Sequence, residues 1–165
     1  MSASPTGIRT ADGALELRRE FTESPSRIWR YLADPQCLAL WYGPWQGDPE
    51  AGAVDVVMLA EDGSPTGRVQ ILHCDPRTHH LQVRLGTGPS AWRLELAVEA
   101  VGEGSSLVFR MPELDPQLAG SIGPGWDFYL DRLATAVNGT DVASVEFEAD
   151  YYPALSQYYE ELFRR

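Results

Sequence analysis

Several residue types and segment types are scarce or missing in this chain of 165 residues, and each absence disfavours a class of protein. None of the 13 basic residues is a lysine, and 24 acidic residues bring the net charge to −11. Nucleic acid and anionic membrane surfaces would repel such a protein, so we expect it to bind neither. No apolar run reaches the roughly 18 residues of a membrane-spanning helix. Residues 1–7 lack the basic and apolar regions of a signal peptide, which predicts a cytoplasmic protein.

Cysteines and catalytic sequence motifs are also sparse. The only two cysteines, Cys37 and Cys74, are expected to be free thiols, because a chain without a secretion signal seldom forms disulfides. The nucleophile elbow of hydrolases, the zinc-protease motif, the P-loop and the dinucleotide fingerprint are all absent. His73, His79 and His80 lie close together, but the last two point to opposite faces of a predicted strand. No cysteine or carboxylate spacing completes a ligand set, so we expect neither a metal nor a cofactor.

The longest predicted helix spans residues 123–138. Pro124 is expected in its first turn, where proline is tolerated, and Asn138-Gly139 is a typical stop signal. Steps of three and four residues place a set of apolar residues on one face of this helix. These residues are Trp126, Tyr129, Leu130, Leu133 and Val137.

Ahead of this helix, the pattern predicts short helices and then a series of strands. Residues 6–21 are typical of a β-hairpin, and Ser24-Pro25 and Asp34-Pro35 each mark the start of a short helix. Between residues 45 and 111, apolar and polar residues alternate and short turns separate the runs. This predicts an antiparallel sheet with one dry face and one wet face. The predicted strands are 45–48, 53–60, 66–74, 79–86, 91–101 and 104–111.

Four polar residues deserve separate interpretation because of where these patterns place them. His73 falls on the dry face, where it either orients a ligand or moves a proton, or is simply a hydrogen-bonded residue at a strand end. Arg19 falls on the inner side of its strand and either meets a ligand carboxylate or extends to the sheet edge. Asp127 and Asp131 fall away from the apolar face of the long helix, so we expect both to be exposed.

Four segments resemble a known family, and the resemblance covers about residues 6–139. They are TADGALELRREF at 10–21, SPSRIWRYLADPQCLALWYGP at 24–44, GRVQILHCDPRTHHLQVRL at 67–85 and GPGWDFYLDRLATAVNG at 123–139. They resemble the START-like (SRPBCC) superfamily, which includes the birch-pollen-allergen proteins. Within it they resemble the branch related to the activator of the ninety-kilodalton heat-shock chaperone ATPase. The resemblance implies an α+β helix-grip fold: a curved antiparallel sheet of about six to seven strands wrapped around a long C-terminal helix, with two short helices after the first strand.

The resemblance also implies an apolar cavity between the sheet and the long helix. Members of the superfamily bind lipids, sterols, hormones and polyketides there, or catalyse cyclisation and dehydration. We therefore expect binding of a small hydrophobic or amphipathic molecule of lipid, polyketide or aromatic type. A cyclase or dehydratase and a protein-interaction module such as a chaperone ATPase regulator are the alternatives, and enzymatic activity stays open. The residues expected to line the cavity are Trp41, Trp45, Met58, Ile71, His73, Val83, Trp92, Leu94, Phe109, Trp126, Tyr129, Leu130 and Leu133, with ordinary core packing as the alternative for the tryptophans.

Residues 140–165 form an acidic, tyrosine-rich extension outside this resemblance, after a START-like domain of residues 1–139. Pro153 is expected to open a short helix with an apolar side. That side comprises Leu155, Tyr158, Tyr159 and Leu162. The extension is expected to pack on the domain, with a homodimer contact or a protein partner as the alternatives.

Overall fold

Eight antiparallel strands form one sheet in a computed structural model that describes residues 3–164. The strands are β1 (Ile8–Arg9), β2 (Leu15–Phe21), β3 (Trp45–Gln46), β4 (Ala53–Val57), β5 (Thr66–Asp75), β6 (His80–Leu85), β7 (Trp92–Val101) and β8 (Gly104–Met111). Their order is β1-β2-β8-β7-β6-β5-β4-β3, so β3 to β8 form a meander and β2 lies beside β8. The predicted antiparallel sheet is confirmed. It exceeds six to seven strands because short pairings by β1 and β3 extend both edges.

Within residues 3–164, five α-helices complete the fold. They are α1 (Pro25–Ala33), α2 (Pro35–Leu38), α3 (Ala119–Val137), α4 (Phe147–Asp150) and α5 (Ser156–Leu162). Ser24 and Asp34 cap α1 and α2 as the sequence predicts, since their side chains accept backbone N–H groups of the first turn. The sheet curves around α3, which confirms the helix-grip fold. Among residues 3–164, none of the helices has the length and apolar character needed to cross a bilayer.

The long helix α3 begins at Ala119 rather than at residue 123. Pro124 therefore lies inside the helix, where it lacks an N–H for the backbone ladder, and not in the first turn. Ala119 and Ile122 are both buried, so the added turn extends the packed surface of the helix. The helix ends at Val137, and Gly139 follows with a φ of +73°, as the Asn-Gly stop signal predicts.

Two opposite sides of α3 are buried. The predicted apolar side, with Trp126, Leu130 and Leu133, faces the sheet as expected. The other side is covered by the C-terminal segment, whose Tyr159 is fully buried against Gly123. This second layer also buries Asp127 completely, so its predicted exposure was wrong. A periodic pattern shows which face of a helix is apolar, but not whether a distant segment covers the polar face.

A β-bulge reverses the facing of the second half of β5. The pairing with β6 shifts between Ile71 and His73, so that Leu72 is an extra residue in this ladder. His73, predicted on the dry face, is exposed on the wet face, and Cys74 faces inward instead. The prediction for His73 was wrong because one inserted residue inverts all later positions of an alternating strand.

Candidate ligand-binding cavity

A cavity of about 310 Å³ lies between the dry face of the sheet and the helices α1, α2 and α3. The dry face forms because β4 to β8 alternate apolar and polar residues, and α3 lies across it. Several of the residues predicted to line the cavity are brought together in its wall. They are Trp41, Trp45, Ile71, Val83, Leu94, Phe109, Trp126 and Leu130. The wall is therefore mainly aliphatic on the strands and aromatic on the helical side.

Five residues of the predicted lining lie outside this wall. Leu133 is fully buried, within the hydrophobic core. Trp92, the first residue of β7, keeps 37% of its surface exposed. Met58 follows the end of β4 and lies against Gly67, His73 is turned outward by the bulge, and Tyr129 lies behind Tyr42. The structure does not bring these five residues into the wall, because strand parity identifies a face of the sheet, whereas a cavity occupies only part of that face.

The two short helices contribute wall residues that the sequence analysis did not select. Trp29 and Leu32 of α1 line the cavity, as do Leu38 of α2 and Tyr42 after it. The apolar sides of both helices are visible in the sequence, and they were the only local signal that these residues could line a cavity. Their position over the open end of the sheet is a tertiary feature, which local periodicity does not contain.

The indole N–H groups of two wall tryptophans are occupied by backbone carbonyls. Trp41 Nε1 donates to the carbonyl oxygen of Tyr31 at 2.9 Å, and Trp45 Nε1 donates to that of Ala33 at 3.1 Å. Both bonds tie the rings to α1 and satisfy their polar edges. These two side chains therefore present apolar ring surface to the cavity.

A polar group of two tyrosines and one glutamate adjoins the aromatic side of the cavity. The ring of Tyr42 lies 4.6 Å from that of Tyr129 and stacks on Trp126 with an interplanar angle of 4°. The Tyr129 hydroxyl donates to Glu61 Oε2 at 2.8 Å. Burial, together with the charge of Glu61, raises the pKa of both tyrosines. Both hydroxyls are therefore protonated at neutral pH, and Tyr42 is the one that belongs to the cavity wall.

Arg19 lies outside the cavity and pairs with acidic groups of α3. Its guanidinium lies 2.9 Å from Asp127 Oδ1 and 3.0 Å from Asp131 Oδ1. Asp127 also accepts hydrogen bonds from Thr6 and from the hydroxyl of Tyr159. This buried cluster joins the N-terminal segment, β2 and the C-terminal segment to α3. His73 and Arg19, which the sequence analysis considered as polar contacts to a ligand, are therefore both absent from the cavity wall.

The buried tyrosines make the stability of the protein sensitive to alkaline pH. Burial is the main cause that raises the pKa of Tyr42, Tyr129, Tyr151 and Tyr159 above the ordinary value of 10.0. Because the pKa of these tyrosines is higher in the folded than in the unfolded protein, the protonated hydroxyls contribute fully to the free energy of unfolding below pH 10. This contribution is lost as the pH rises above 10. We expect the free energy of unfolding to fall steadily above pH 10.

Ultraviolet absorbance of tyrosinate checks this prediction. In the folded protein, Tyr42, Tyr129, Tyr151 and Tyr159 should contribute no tyrosinate absorbance near pH 10, and their absorbance should appear together with unfolding. The urea-unfolded protein is the control, because there all seven tyrosines should ionise in one step. Complete ionisation near pH 10 with the fold intact would contradict the prediction.

The fold and the cavity together define a helix-grip protein with an apolar, aromatic-walled cavity. The sequence matches no family model, and it matches no curated protein. Solved structures do match. The crystal structure of CalU16 from Micromonospora echinospora aligns with a TM-score of 0.71 and 18% identity, over 98% of this chain and 97% of that one. EF2215 from Enterococcus faecalis, a conserved protein of unknown function, aligns with a TM-score of 0.65 and 18% identity over 96% and 89% of the two chains.

A third solved structure, DynU16, is a protein of the dynemicin biosynthetic locus. It aligns with a TM-score of 0.64 and 19% identity over 78% of this chain. The match spans 49% of DynU16, so this chain corresponds to about half of that protein. At such identities the likeness shows the shared helix-grip fold.

Proposed function

We propose that this protein binds a small, largely apolar molecule with aromatic rings in the cavity between the sheet and α3. The observation that carries the proposal is the void of about 310 Å³ with an aliphatic and aromatic wall. Ligand pockets generally measure about 300–1,000 Å³ and have mainly apolar walls. An apolar cavity of about 150 Å³ accommodates benzene. The cavity of this protein has roughly twice the volume of that cavity and therefore has room for a molecule larger than benzene.

The chemistry of the wall supports a compact ring compound over a long-chain lipid. The rings of Trp41, Phe109 and Trp126 offer flat apolar surfaces, against which a fused or linked ring system packs with little loss of conformational entropy. Tyr42 supplies a hydroxyl at the same wall and would orient one oxygen of the ligand. DynU16, which shares the fold, belongs to the dynemicin biosynthetic locus, and this supports a small molecule as the ligand.

The wall favours binding over catalysis. A cyclase or dehydratase needs at least two polar groups that converge on the bound molecule, one to give and one to take a proton. Tyr42 and Cys74 bring a hydroxyl and a thiol to the wall, and burial raises the pKa of the Cys74 thiol, which disfavours its thiolate.

The alternative role as a chaperone ATPase activator has support only from the sequence resemblance. The acidic C-terminal segment that suggested a protein partner packs on α3 of the same chain.

Two neighbouring residues of β6 provide a direct test of the proposal. Val83 lines the cavity, whereas Gln82 points to the wet face of the same strand. We expect Val83→Trp to fill the cavity and to weaken ligand binding at least tenfold, and Gln82→Trp to leave it unchanged. Native mass spectrometry and thermal shift against compounds of one to three aromatic rings, with fatty acids for comparison, measure this. Binding that survives Val83→Trp, or no binding by any compound with rings, contradicts the proposal.

A further inference from the structure

A second concave surface lies on the wet face of the sheet, on the opposite side from the apolar cavity. It has a volume of about 620 Å³ and is bordered by two turns, at 51–53 and 86–88. Arg68 and Gln70 of β5 and Arg84 of β6 project from the strands into it. Nothing in the binding role of the cavity uses these residues.

Positive charge is concentrated at this surface although the protein is strongly acidic. Gln70 is directly opposite Arg84 in the sheet, and Arg84 is directly opposite Arg93 of β7. Like charges at directly opposite positions destabilise a sheet. Among residues 3–164, no carboxylate lies within 4 Å of Arg84 or Arg93. Within these residues, the two neighbouring cations therefore have no ion-pair partner in contact, and the acidic residue beside them on the same face, Glu95, is directly opposite Gln82 and Arg110.

The remaining polar contacts leave the cations of this surface largely uncompensated. Arg68 lies 3.4 Å from Asp55, but their side chains are 55% and 49% exposed, and pairs of this kind are weak. Arg93 Nη2 donates to the neutral amide of Gln82 at 3.4 Å, which supplies no negative charge. An anion from solution would thus meet guanidinium groups whose N–H donors are still available.

The rim of the surface has few side chains that would obstruct an approaching ligand. Gly52 and Gly88 have φ values of +92° and +73°, and a Cβ atom built on either one meets nothing within 4 Å. Glycine is the residue that adopts this backbone without strain. Between Gly86 and Gly88, the side chain of Thr87 makes no capping hydrogen bond. The two turns thus leave open space beside the arginines.

We propose that this surface binds an oxyanion of the phosphate type, most simply a diphosphate group, free or esterified. The planar guanidinium fork matches the oxygen atoms of phosphate groups with two parallel hydrogen bonds. Arg68 and Arg84 are diagonal neighbours on adjacent strands, so their flexible side chains can approach one anion together. A diphosphate offers enough oxygen atoms to accept hydrogen bonds from both guanidinium groups at once. Gln70 supplies a neutral donor between them. In the described part of the chain, no aromatic residue lines the surface, so recognition depends on the anion and not on a stacked base.

Calorimetric titration of the full chain with sodium diphosphate, at low and constant ionic strength, tests this site. We expect Arg84→Gln to weaken binding at least tenfold and Arg68→Gln together with Arg84→Gln to abolish it. Arg18→Gln is the matched control, since Arg18 is on the wet face of β2 and pairs with Glu16. Binding should be unchanged in that variant. Absence of diphosphate binding to the unaltered protein, or an equal loss in Arg18→Gln, overturns the proposal.

Thermal unfolding gives an independent reading of the role of Arg84. Without anion, Arg84→Gln should raise the unfolding midpoint, because it removes the repulsion with Arg93. Diphosphate should raise the midpoint of the unaltered protein, raise that of Arg84→Gln by less, and leave that of the double variant Arg68→Gln with Arg84→Gln unchanged. A lower midpoint for Arg84→Gln in anion-free buffer overturns the proposal, because the arginine would then serve the fold.

An alkyl diphosphate and a nucleoside diphosphate, titrated separately, distinguish the sources of the anion. If both esters bind with the same affinity as free diphosphate, the surface recognises the anion alone. If one ester binds more tightly, that ester is supported as the source of the anion. If both esters bind more weakly, free diphosphate is supported as the ligand. These measurements do not involve the apolar cavity, so their failure and the failure of the proposed ligand binding are distinguishable.

Discussion

Replacement of Asp127 by alanine is expected to lower the free energy of unfolding by about 3–5 kcal/mol, the usual cost of removing one partner of a buried ion pair. The Asp127 side chain is 0% exposed, and that of its partner Arg19 is 10% exposed. The carboxylate also accepts a hydrogen bond from the Thr6 backbone N–H at 3.3 Å and one from the Tyr159 hydroxyl. The variant would leave these donors without their acceptor in a site that water cannot easily reach.

Asp131→Ala is the matched control for this prediction. Asp131 also pairs with Arg19 and accepts from the hydroxyl of Tyr151, but its side chain is 34% exposed. Water can replace it, so we expect a loss of only about 1 kcal/mol. Urea unfolding measures both, and the loss for Asp127→Ala corresponds to a decrease in Tm of roughly 6–20 °C for a protein of this size. Equal losses in the two variants would show that the burial of Asp127 has no special role.

The second large effect is expected for Gly123→Ala, at the contact between α3 and the C-terminal segment. A Cβ atom at Gly123 would lie 2.3 Å from Cγ of the Tyr159 ring, with two more ring carbons at 2.4 and 2.6 Å. Tyr159 is fully buried, and its hydroxyl is held by Asp127 and by the backbone N–H of Gly7 at 2.9 Å. The ring therefore cannot move aside without breaking these bonds. Overpacking of this kind costs about 3 kcal/mol and should loosen the C-terminal segment.

Gly125→Ala on the same helix is the control, and its effect should have the opposite sign. A Cβ atom at Gly125 meets nothing within 4 Å, and alanine favours the interior of a helix by about 1 kcal/mol over glycine. Urea unfolding compares the stabilities, and limited proteolysis shows whether residues 140–164 become accessible in Gly123→Ala. A stabilising effect of both substitutions would contradict the contact between Gly123 and Tyr159.

Alternation and helical periodicity predicted the antiparallel sheet and the apolar face of the long helix, whereas the helix-grip arrangement of the two was implied by the family resemblance. Most strands between residues 45 and 111 present apolar side chains at every second position. The turns between them are too short for a crossover, so neighbouring strands must pair antiparallel. The apolar face of α3 was predicted residue by residue, since steps of three and four residues define it within a single element. The caps at Ser24 and Asp34 are equally local and were predicted correctly. These features depend on interactions between residues that are close in sequence.

Only the tertiary structure decided which residues surround the cavity and which residues are buried behind α3. One extra residue at Leu72 turned His73 outward and Cys74 inward, and strict alternation contains no sign of it. Asp127 is buried beneath the C-terminal segment, whose Tyr159 lies 32 positions further along the chain and donates a hydrogen bond to it. Trp29 and Tyr42 joined the wall through the placement of two short helices over the sheet. A sequence pattern reports the polarity of each side of an element, whereas a void and a buried charge depend on how distant elements approach one another.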